Sequence, residues 1–291
     1  MSSAERPRTA VVTVTFNSNA VIDDFLRSIR EDAGDTAEIV VVDNGTRDIE
    51  ALRLTAERHG ARLLELTDNL GYGGGMNAGI RTLGTDIEYV LVSNPDVRVA
   101  RGTIGELVRL LDHDRRGAAA GPRVLNEDGT VYPSARRLPS LRTGVGHGLL
   151  QPIWASNPWT QRYHDTAGDE SVRPSGWLSG SCLMVRRSAF DAIGGFDDGY
   201  FMYFEDVDLG LRFGRAGWLN LYDPAANVVH SGAHSTSERS AQMVTIHHDS
   251  AYRYLSKRYD RPWEAPLRWV LRVGLRLRLA LVLRRAAGRS A

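Results

Sequence analysis

Five carboxylates crowd one stretch of the chain, GGFDDGYFMYFEDVDLGLR from Gly194 to Arg212: Asp197, Asp198, Glu205, Asp206 and Asp208, set among aromatic residues with Arg212 as the one cation. A carboxylate against an apolar aromatic wall has its pKa raised, and that suits a general base. Glu205 and Asp206 stand where a helical pattern begins, so the helix dipole also accounts for them as ordinary first-turn acids. Asp208 and Arg212 are spaced i, i+4, a routine surface pair. Asp197 and Asp198 follow Gly194-Gly195 and read as turn residues.

Four further stretches carry polar chemistry. In DNLGYGGGMNAGI (68–80), Gly71, Gly73, Gly74 and Gly75 precede a helix. Such a run brings backbone N–H groups close to phosphate oxygens, or else makes a flexible turn with a helix cap. It is neither a Walker A loop nor a dinucleotide fingerprint, because its spacing fits neither. VVVDNG (40–45) ends a buried strand on Asp43, which can accept from a pyrimidine N3–H or a ribose hydroxyl, or close an Asx turn. SNPDV (93–97) sets Asp96 just past another strand, where a hard divalent cation such as Mg²⁺ or Mn²⁺ finds oxygen ligands; a plain Asn-Pro-Asp turn is the alternative. NVVHSGAHST (227–236) holds His230 and His234 in a loop. A single histidine completing a carboxylate–metal site fits better there than a two-histidine zinc site, and a hydrogen-bonded strand-end histidine fits too.

These residues sit at the ends of a regular alternation. Strands are predicted at 10–16, 38–43, 61–67, 88–93 and 118–125, with helices from Asn17 to Arg30, from 48 to Gly60, near 76–83 and over 102–112. Such alternation implies an α/β chain with a doubly wound, mainly parallel sheet, whose ligands bind beyond the carboxyl ends of the strands. The pattern dissolves over about 131–175. It returns in WLSGSCLMVRR, read as one strand, and in WLNLYDPAANVVH.

Composition narrows the class. The 291 residues are 42% hydrophobic and 24% charged, as in an ordinary globular protein. The lone Cys182 excludes an internal disulfide framework and suits a reducing compartment. No signal peptide and no membrane span are expected. Residues 261–291 carry eight arginines against one acid, Glu264, a net of +7 that leaves −6 on the rest of a chain whose total is +1. The acidic body argues against nucleic acid as a partner; the basic tail points to an anionic surface.

Taken in order, VTFN, VVDNG, NLGYGGGMNAG, SNPD, GWLSGSCLMVRR, GGFDDGYFMYFEDVDLGLR and VVHSGAHS resemble glycosyltransferase family 2, inverting enzymes of the GT-A fold, over about residues 10–236. The resemblance implies a Rossmann-like nucleotide-binding half. In it Thr15, Asn17, Asp43 and Asn44 contact base and ribose, and Gly71, Gly73 and Asn77 face the diphosphate. Asp96 matches the metal-binding aspartate, Asn94 stands where the family's Asp-x-Asp motif has its first aspartate, and His230 completes the metal site. Asp206 matches the catalytic base, with Glu205 as its support, a helix cap or an acceptor contact.

GTVYPSARRLPSL, NPWT, RPSGWLSGSCLMVRRSAF, YFMYFEDVDLG, AHST and APLRW narrow the resemblance to the mycobacterial and actinobacterial rhamnosyltransferases of that family. This implies a dTDP-L-rhamnose donor and a polyprenyl-diphosphate-GlcNAc acceptor, joined to build the linker between peptidoglycan and arabinogalactan. A UDP-sugar transferase and a catalytically inactive binding module are the alternatives. Trp177, Ser179, Gly180 and Ser181 would line the sugar pocket, Trp177 offering a ring face or else serving as a buried structural residue. Arg136 and Arg137 would meet the lipid diphosphate, with Trp154 and Trp159 in the same loop. The chain is expected to divide into a catalytic domain over 1–236, with a donor half at about 10–125 and an acceptor half at about 126–236, and a helical extension over 237–291. Within the extension, residues 263–289 mix leucine and valine with arginine. They read as a helix lying on an anionic membrane surface, or packed on the body with a solvated arginine face. The expected location is cytoplasmic, peripheral on the inner face of the plasma membrane, with an oligomer possible.

Overall fold

The computed structural model describes residues 9–141, 170–232 and 241–287. His234, Trp154, Trp159 and most of the 131–175 loop lie outside the described residues. Strands β1 (Thr9–Thr15), β2 (Ala37–Asp43), β3 (Arg62–Glu65) and β4 (Tyr89–Ser93) run parallel in the order β3-β2-β1-β4. β5 (Val97–Val99) lies at the far edge, and β6 (Gly117–Leu125) is followed by the short β7 (Val131–Tyr132), β8 (Ala135–Arg136), β9 (Arg173–Ser175) and β10 (Trp177–Leu178). β11 (Cys182–Arg186) enters antiparallel between β4 and β6, and β12 (Leu219–His230) pairs parallel with β6 and antiparallel with β5. The sheet is therefore mixed but mainly parallel, as the alternation implies. β11 and β12 interleave with the first strands in one sheet, so the donor and acceptor halves share a single framework.

Alternate strand residues feed two cores, as a period of two requires. Val11, Ile39, Val41 and Leu91 point to one face, where α1 (Ile22–Ala33) buries Phe25 and Leu26, and α4 (Thr103–His113) buries Leu107 and Leu111. Val12, Val14, Val42 and Val92 point to the other. That face is covered by α3 (Gly71–Arg81), α5 (Arg187–Ala192) and α6 (Glu205–Arg215) through Met76, Phe190, Leu209 and Phe213. The helix α2 (Ile49–Arg58) starts at Asp48, whose side chain accepts from the N–H of Ala51.

Three boundaries differ from the predicted ones. α1 begins at Ile22, not Asn17, because Asn17 takes a left-handed φ of 56° and the carbonyl of Ser18 accepts from Val21 and Ile22. α3 begins inside the glycine run at Gly71. The single strand predicted over 177–187 is broken into β10 and β11 by a turn at 179–181 that reaches toward Asp206.

The C-terminal region starts with α7 (Ala241–Arg258), which joins the body: Tyr254 is fully buried and donates to the carbonyl of Pro139, and Ser250 donates to that of Met202. The helical extension expected over 237–291 thus begins with a helix packed on the body. α8 (Ala265–Ala287) packs on α7, and none of its residues 265–285 is fully buried.

Candidate active site

The acid pair opens α6. The two residues before it, Tyr203 and Phe204, both have positive φ, 69° and 66°. Bulky residues in that region cost on the order of 1–3 kcal/mol each, and such strain gathers at functional sites. Here it is held by packing: the Tyr203 and Phe204 rings meet the His247 ring at centroid distances of 5.3 and 5.5 Å, and Phe204 lies 5.7 Å from Tyr254. The aromatic run therefore braces the start of the helix.

Glu205 is buried, and its Oε2 has no hydrogen-bond partner among the described residues. Burial, with the adjacent Asp206 charge added, pushes its carboxyl up to about 8. Asp206 is partly exposed. Burial of its carboxylate raises its pKa as well, opposed by N–H donors from Gly180 at 2.9 Å to Oδ2 and from Val207 at 2.8 Å to Oδ1. The pair thus separates into Glu205, buried with one oxygen unpartnered among the described residues, and Asp206, partly exposed and anchored by two backbone N–H donors. Asp208 is not the surface residue its spacing suggests. It is 0% exposed and accepts from Arg212 at 2.6 Å and from Lys257 of α7 at 2.8 Å. Asp197 and Asp198 do more than turn the chain: Asp197 takes Arg253 and Lys257, which hold its carboxyl below the usual range against its burial, and Asp198 accepts from Asn77.

Asp96 and His230 are brought together across the sheet. β5 and β12 pair with His230 opposite Val97, which sets His230 Nε2 3.1 Å from Asp96 Oδ1 and 3.3 Å from Asn94 Nδ2. The other Asp96 oxygen, Oδ2, is buried with no hydrogen-bond partner among the described residues. A buried anionic oxygen left unpaired beside an imidazole nitrogen is suited to a divalent cation. Among the described residues no third Asp, Glu, His or Cys joins them. Such a cation would draw its other ligands from substrate oxygens and water.

The donor-side residues divide into those that can reach a ligand and those that hold others. Asp43 accepts from Thr15 Oγ1 at 3.1 Å, from Gly45 N–H at 3.0 Å and from Thr46 N–H shared between both oxygens, so the Asx turn forms; three donors on a carboxylate with about four acceptor sites leave room for one more. Thr15 is fully buried with its hydroxyl spent on Asp43 and Val42, so it positions the site and does not contact base or ribose. Asn17 accepts from Arg47 N–H, and Asn44 spends its amide on Leu70 and Gly71. Asn77 is corrected most clearly. Its amide donates to Phe196 O and Asp198 and accepts from Phe196 N–H, so it ties α3 to the loop before α6 and does not face a diphosphate.

The glycine run packs closely against its neighbours. Gly71 has φ of +72°, and a Cβ there would stand 1.9 Å from Phe201 O; at Gly73 it would press on the Phe196 side chain at 3.0 Å, and at Gly79 on Val12 at 2.6 Å. These glycines let α3 lie tightly on the sheet and on the acid-bearing segment.

Trp177 takes the structural alternative. It is buried in a cluster with Tyr200, Val207, Leu211 and Tyr254, and its Nε1 donates to Arg137 O. Ser179 and Ser181 share a hydroxyl contact of 3.0 Å, and Ser181 O accepts from Asn94 N–H, which links the turn to the Asp96 cluster. Gly180 touches the acid directly through its N–H. Arg136, 5.5 Å over the Trp177 ring, lies close enough to Asp206 to favour its ionised form. Two residues escaped the sequence reading. Tyr72 donates to Gly180 O, and burial, with the charges of Glu205 and Asp206, raises its phenol well above 10, so it stays a donor. Its signal was being the one large side chain among glycines. Phe16 is 56% exposed at the end of β1 beside Gly45, a ring face open to stacking.

The arrangement sets a partly exposed carboxylate at the start of α6, the Asp96–His230 pair and the polar end of β2 at Asp43 within one sheet framework. The model of the family Glycosyl transferase family 2 matches residues 10–194. An N-acetylglucosaminyl-diphospho-decaprenol L-rhamnosyltransferase of Mycobacterium tuberculosis is 43% identical over 289 residues, 96% of this chain and 94% of that protein. The rhamnosyltransferase WbbL of Escherichia coli K12 is 29% identical over 174 residues, 60% of this chain and 63% of its own. Among solved structures, the mannosyltransferase PcManGT from Pyrobaculum calidifontis, in complex with GDP-Man and Mn²⁺, superposes with a TM-score of 0.59 at 18% identity, covering 99% of this chain and 81% of its own. GalNAc-T7 with UDP, GalNAc and Mn²⁺ gives 0.61 at 16%, covering 94% and 55%. The fold is that of the GT-A glycosyltransferases.

Proposed function

Because the chain belongs to glycosyl transferase family 2 and is a glycosyltransferase, we propose that it moves L-rhamnose from dTDP-L-rhamnose to the 3-hydroxyl of GlcNAc in a polyprenyl-diphosphate-GlcNAc acceptor. The product would be the linker between peptidoglycan and arabinogalactan. The observation that carries this reading is the 43% identity running through nearly the whole of both chains, tail included. The geometry supports it with an acid pair of which only one member is accessible.

In this reading Asp206 takes the proton of the acceptor hydroxyl. The oxygen forms its bond to the anomeric carbon as the bond to the dTDP oxygen breaks on the opposite side, so configuration inverts and a β-linked donor gives an α-linked product. The proton ends on Asp206, whose carboxylate the Gly180 and Val207 N–H groups keep aimed, their donation opposing the upward push of burial. Asp96 and His230, with the Asn94 amide beside them, are the residues that would hold Mg²⁺ or Mn²⁺. Such an ion neutralises charge on a leaving diphosphate. Asp43 accepts from the base, a contact that thymine and uracil offer alike. The nucleotide donor and the membrane-anchored acceptor would meet at the cytoplasmic face of the plasma membrane.

The test is a donor screen on a short-chain polyprenyl-diphosphate-GlcNAc with and without chelator. Rhamnosyl transfer from dTDP-L-rhamnose, abolished by chelator and restored by Mg²⁺ or Mn²⁺, is expected. Transfer from a UDP-sugar in its place would overturn the donor assignment, and full turnover in chelator would overturn the cation.

A further inference from the structure

Helix α8 is apolar on two sides. Leu267, Leu271, Leu275 and Leu279 recur at i, i+4, are half-buried, and form the side against α7. Trp269, Val273, Leu277 and Leu281 recur with the same spacing around the opposite side and stand exposed, Trp269 at 66%. Trp263, in the turn that leads into the helix, is 71% exposed. Isolated exposed leucines are ordinary, but a continuous apolar stripe along one helix face marks a contact surface. At 100° per residue, exposed Arg272 and Arg276 run along one edge of this stripe, and exposed Arg278 and Arg285 along the other.

The arginine edges choose the occupant. A second copy pairing stripe to stripe would bring arginine against arginine, and such like-charge contacts cost several kcal/mol across an interface. An anionic lipid surface accepts both edges and the apolar stripe between them. No described helix is long and apolar enough to cross a membrane, so the helix would lie in the interface plane. Its inner neighbours lead to the acid pair. Arg278 is near enough to His247 to add, after burial and His248, to the lowering of that imidazole, and the His247 ring packs on Tyr203 and Phe204 directly before Glu205.

We propose that the outward face of α8 docks the enzyme on an anionic bilayer surface, and that this brings the acid pair to the level of lipid head groups. The second clause rests on the reading that the acceptor is lipid-linked; vesicle binding is measured with neither substrate present, so the two can fail separately. The full chain would be co-sedimented with vesicles of phosphatidylcholine alone and of an equal mixture of phosphatidylcholine and phosphatidylglycerol. Binding to the mixed vesicles is expected to be tighter by about tenfold or more and to fall with added salt. The double variant L277D/L281D should lose about tenfold or more of that binding while keeping its melting temperature and its turnover on a short-chain soluble acceptor. Equal binding to both vesicle types, or a variant that binds like the parent, would overturn the proposal. So would a dimer that the double variant converts to monomer without loss of vesicle binding, which would assign the face to a second copy.

Discussion

Asp206 and Glu205 are neighbours in the chain but are held differently, and the difference predicts opposite consequences of neutralising them. Asp206→Asn should leave donor binding nearly unchanged while kcat falls by about 10²–10⁴-fold, the usual contribution of a general base; unchanged turnover would remove it from the role. Glu205, with its carboxyl pushed up to about 8, is mostly protonated at neutral pH, so Glu205→Gln should cost kcat no more than a few-fold there. Its folded pKa lies above the ordinary 4.5, so the folded chain binds the extra proton in that window. The stability this contributes is full below about pH 4.5 and is lost as pH rises through about 8. Melting curves from pH 5 to 9 should fall with pH in the parent and fall less in Glu205→Gln; parallel curves would contradict the neutral carboxyl. Tyr72 acts one step back from the acid, fixing the peptide whose N–H Asp206 accepts. Tyr72→Phe should lower kcat by about tenfold, the loss of one well-placed hydrogen bond, with donor KM unchanged and the acid limb of the pH–rate profile moved upward. Glu205 and Arg136 also face that carboxylate, so the profile is compared within a constant background of both.

At the scale of elements, α6 is the piece on which the site depends, and it is clamped from behind. Asp208 sits one turn into it, fully buried between Arg212 and Lys257, with the Tyr200 hydroxyl at 3.3 Å. Lys257 also reaches Asp197, and Arg215 donates to the last carbonyls of α7. A hydrogen bond to a charged group contributes about 1.5–3 kcal/mol, and Arg212 and Lys257, 20% and 30% exposed, keep the Gly195 carbonyl and Asp197 as partners when the acid is gone. Asp208→Asn should therefore destabilise by about that amount in denaturant titration and lower activity only in proportion to unfolding at assay temperature. A spacing of i, i+4 by itself indicated a surface pair. The cation that buries it comes from a helix 49 residues away, and no local pattern contains that information.

For the molecule as a whole, the two C-terminal helices have different standings. α7 supplies Tyr254 to a buried cluster and Lys257 to the ion network, whereas α8 touches chiefly α7. A chain ending at Asp260 should keep its melting temperature within about 4 °C, equivalent to roughly 1 kcal/mol for a domain of this size. One ending at Ser240 should fail to fold cooperatively, as read by calorimetry. Equal loss from both truncations would show that α8 is part of the core.

The sequence by itself determined the strand–helix alternation, the strand ends that bear Asp43 and Asp96, the helix start that bears Asp206, and the two-sided apolar strands, because each is a local pattern of period two or 3.6. It also revealed the family, because the motifs stand in order along the chain. Only the tertiary structure decided what each polar residue is free to do. Asn77, Asn44 and Thr15 look like ligand contacts in a motif, yet their hydrogen bonds are spent on partners up to 119 residues away. That Gly71 and Gly73 also give Phe201 and Phe196 the space a side chain would need is invisible in the run itself. Glu205 and Asp96 look like any other acids until burial leaves one oxygen of each unpaired. Burial and hydrogen-bond saturation are sums over neighbours from the whole chain, and they become defined only when the fold has brought those neighbours together.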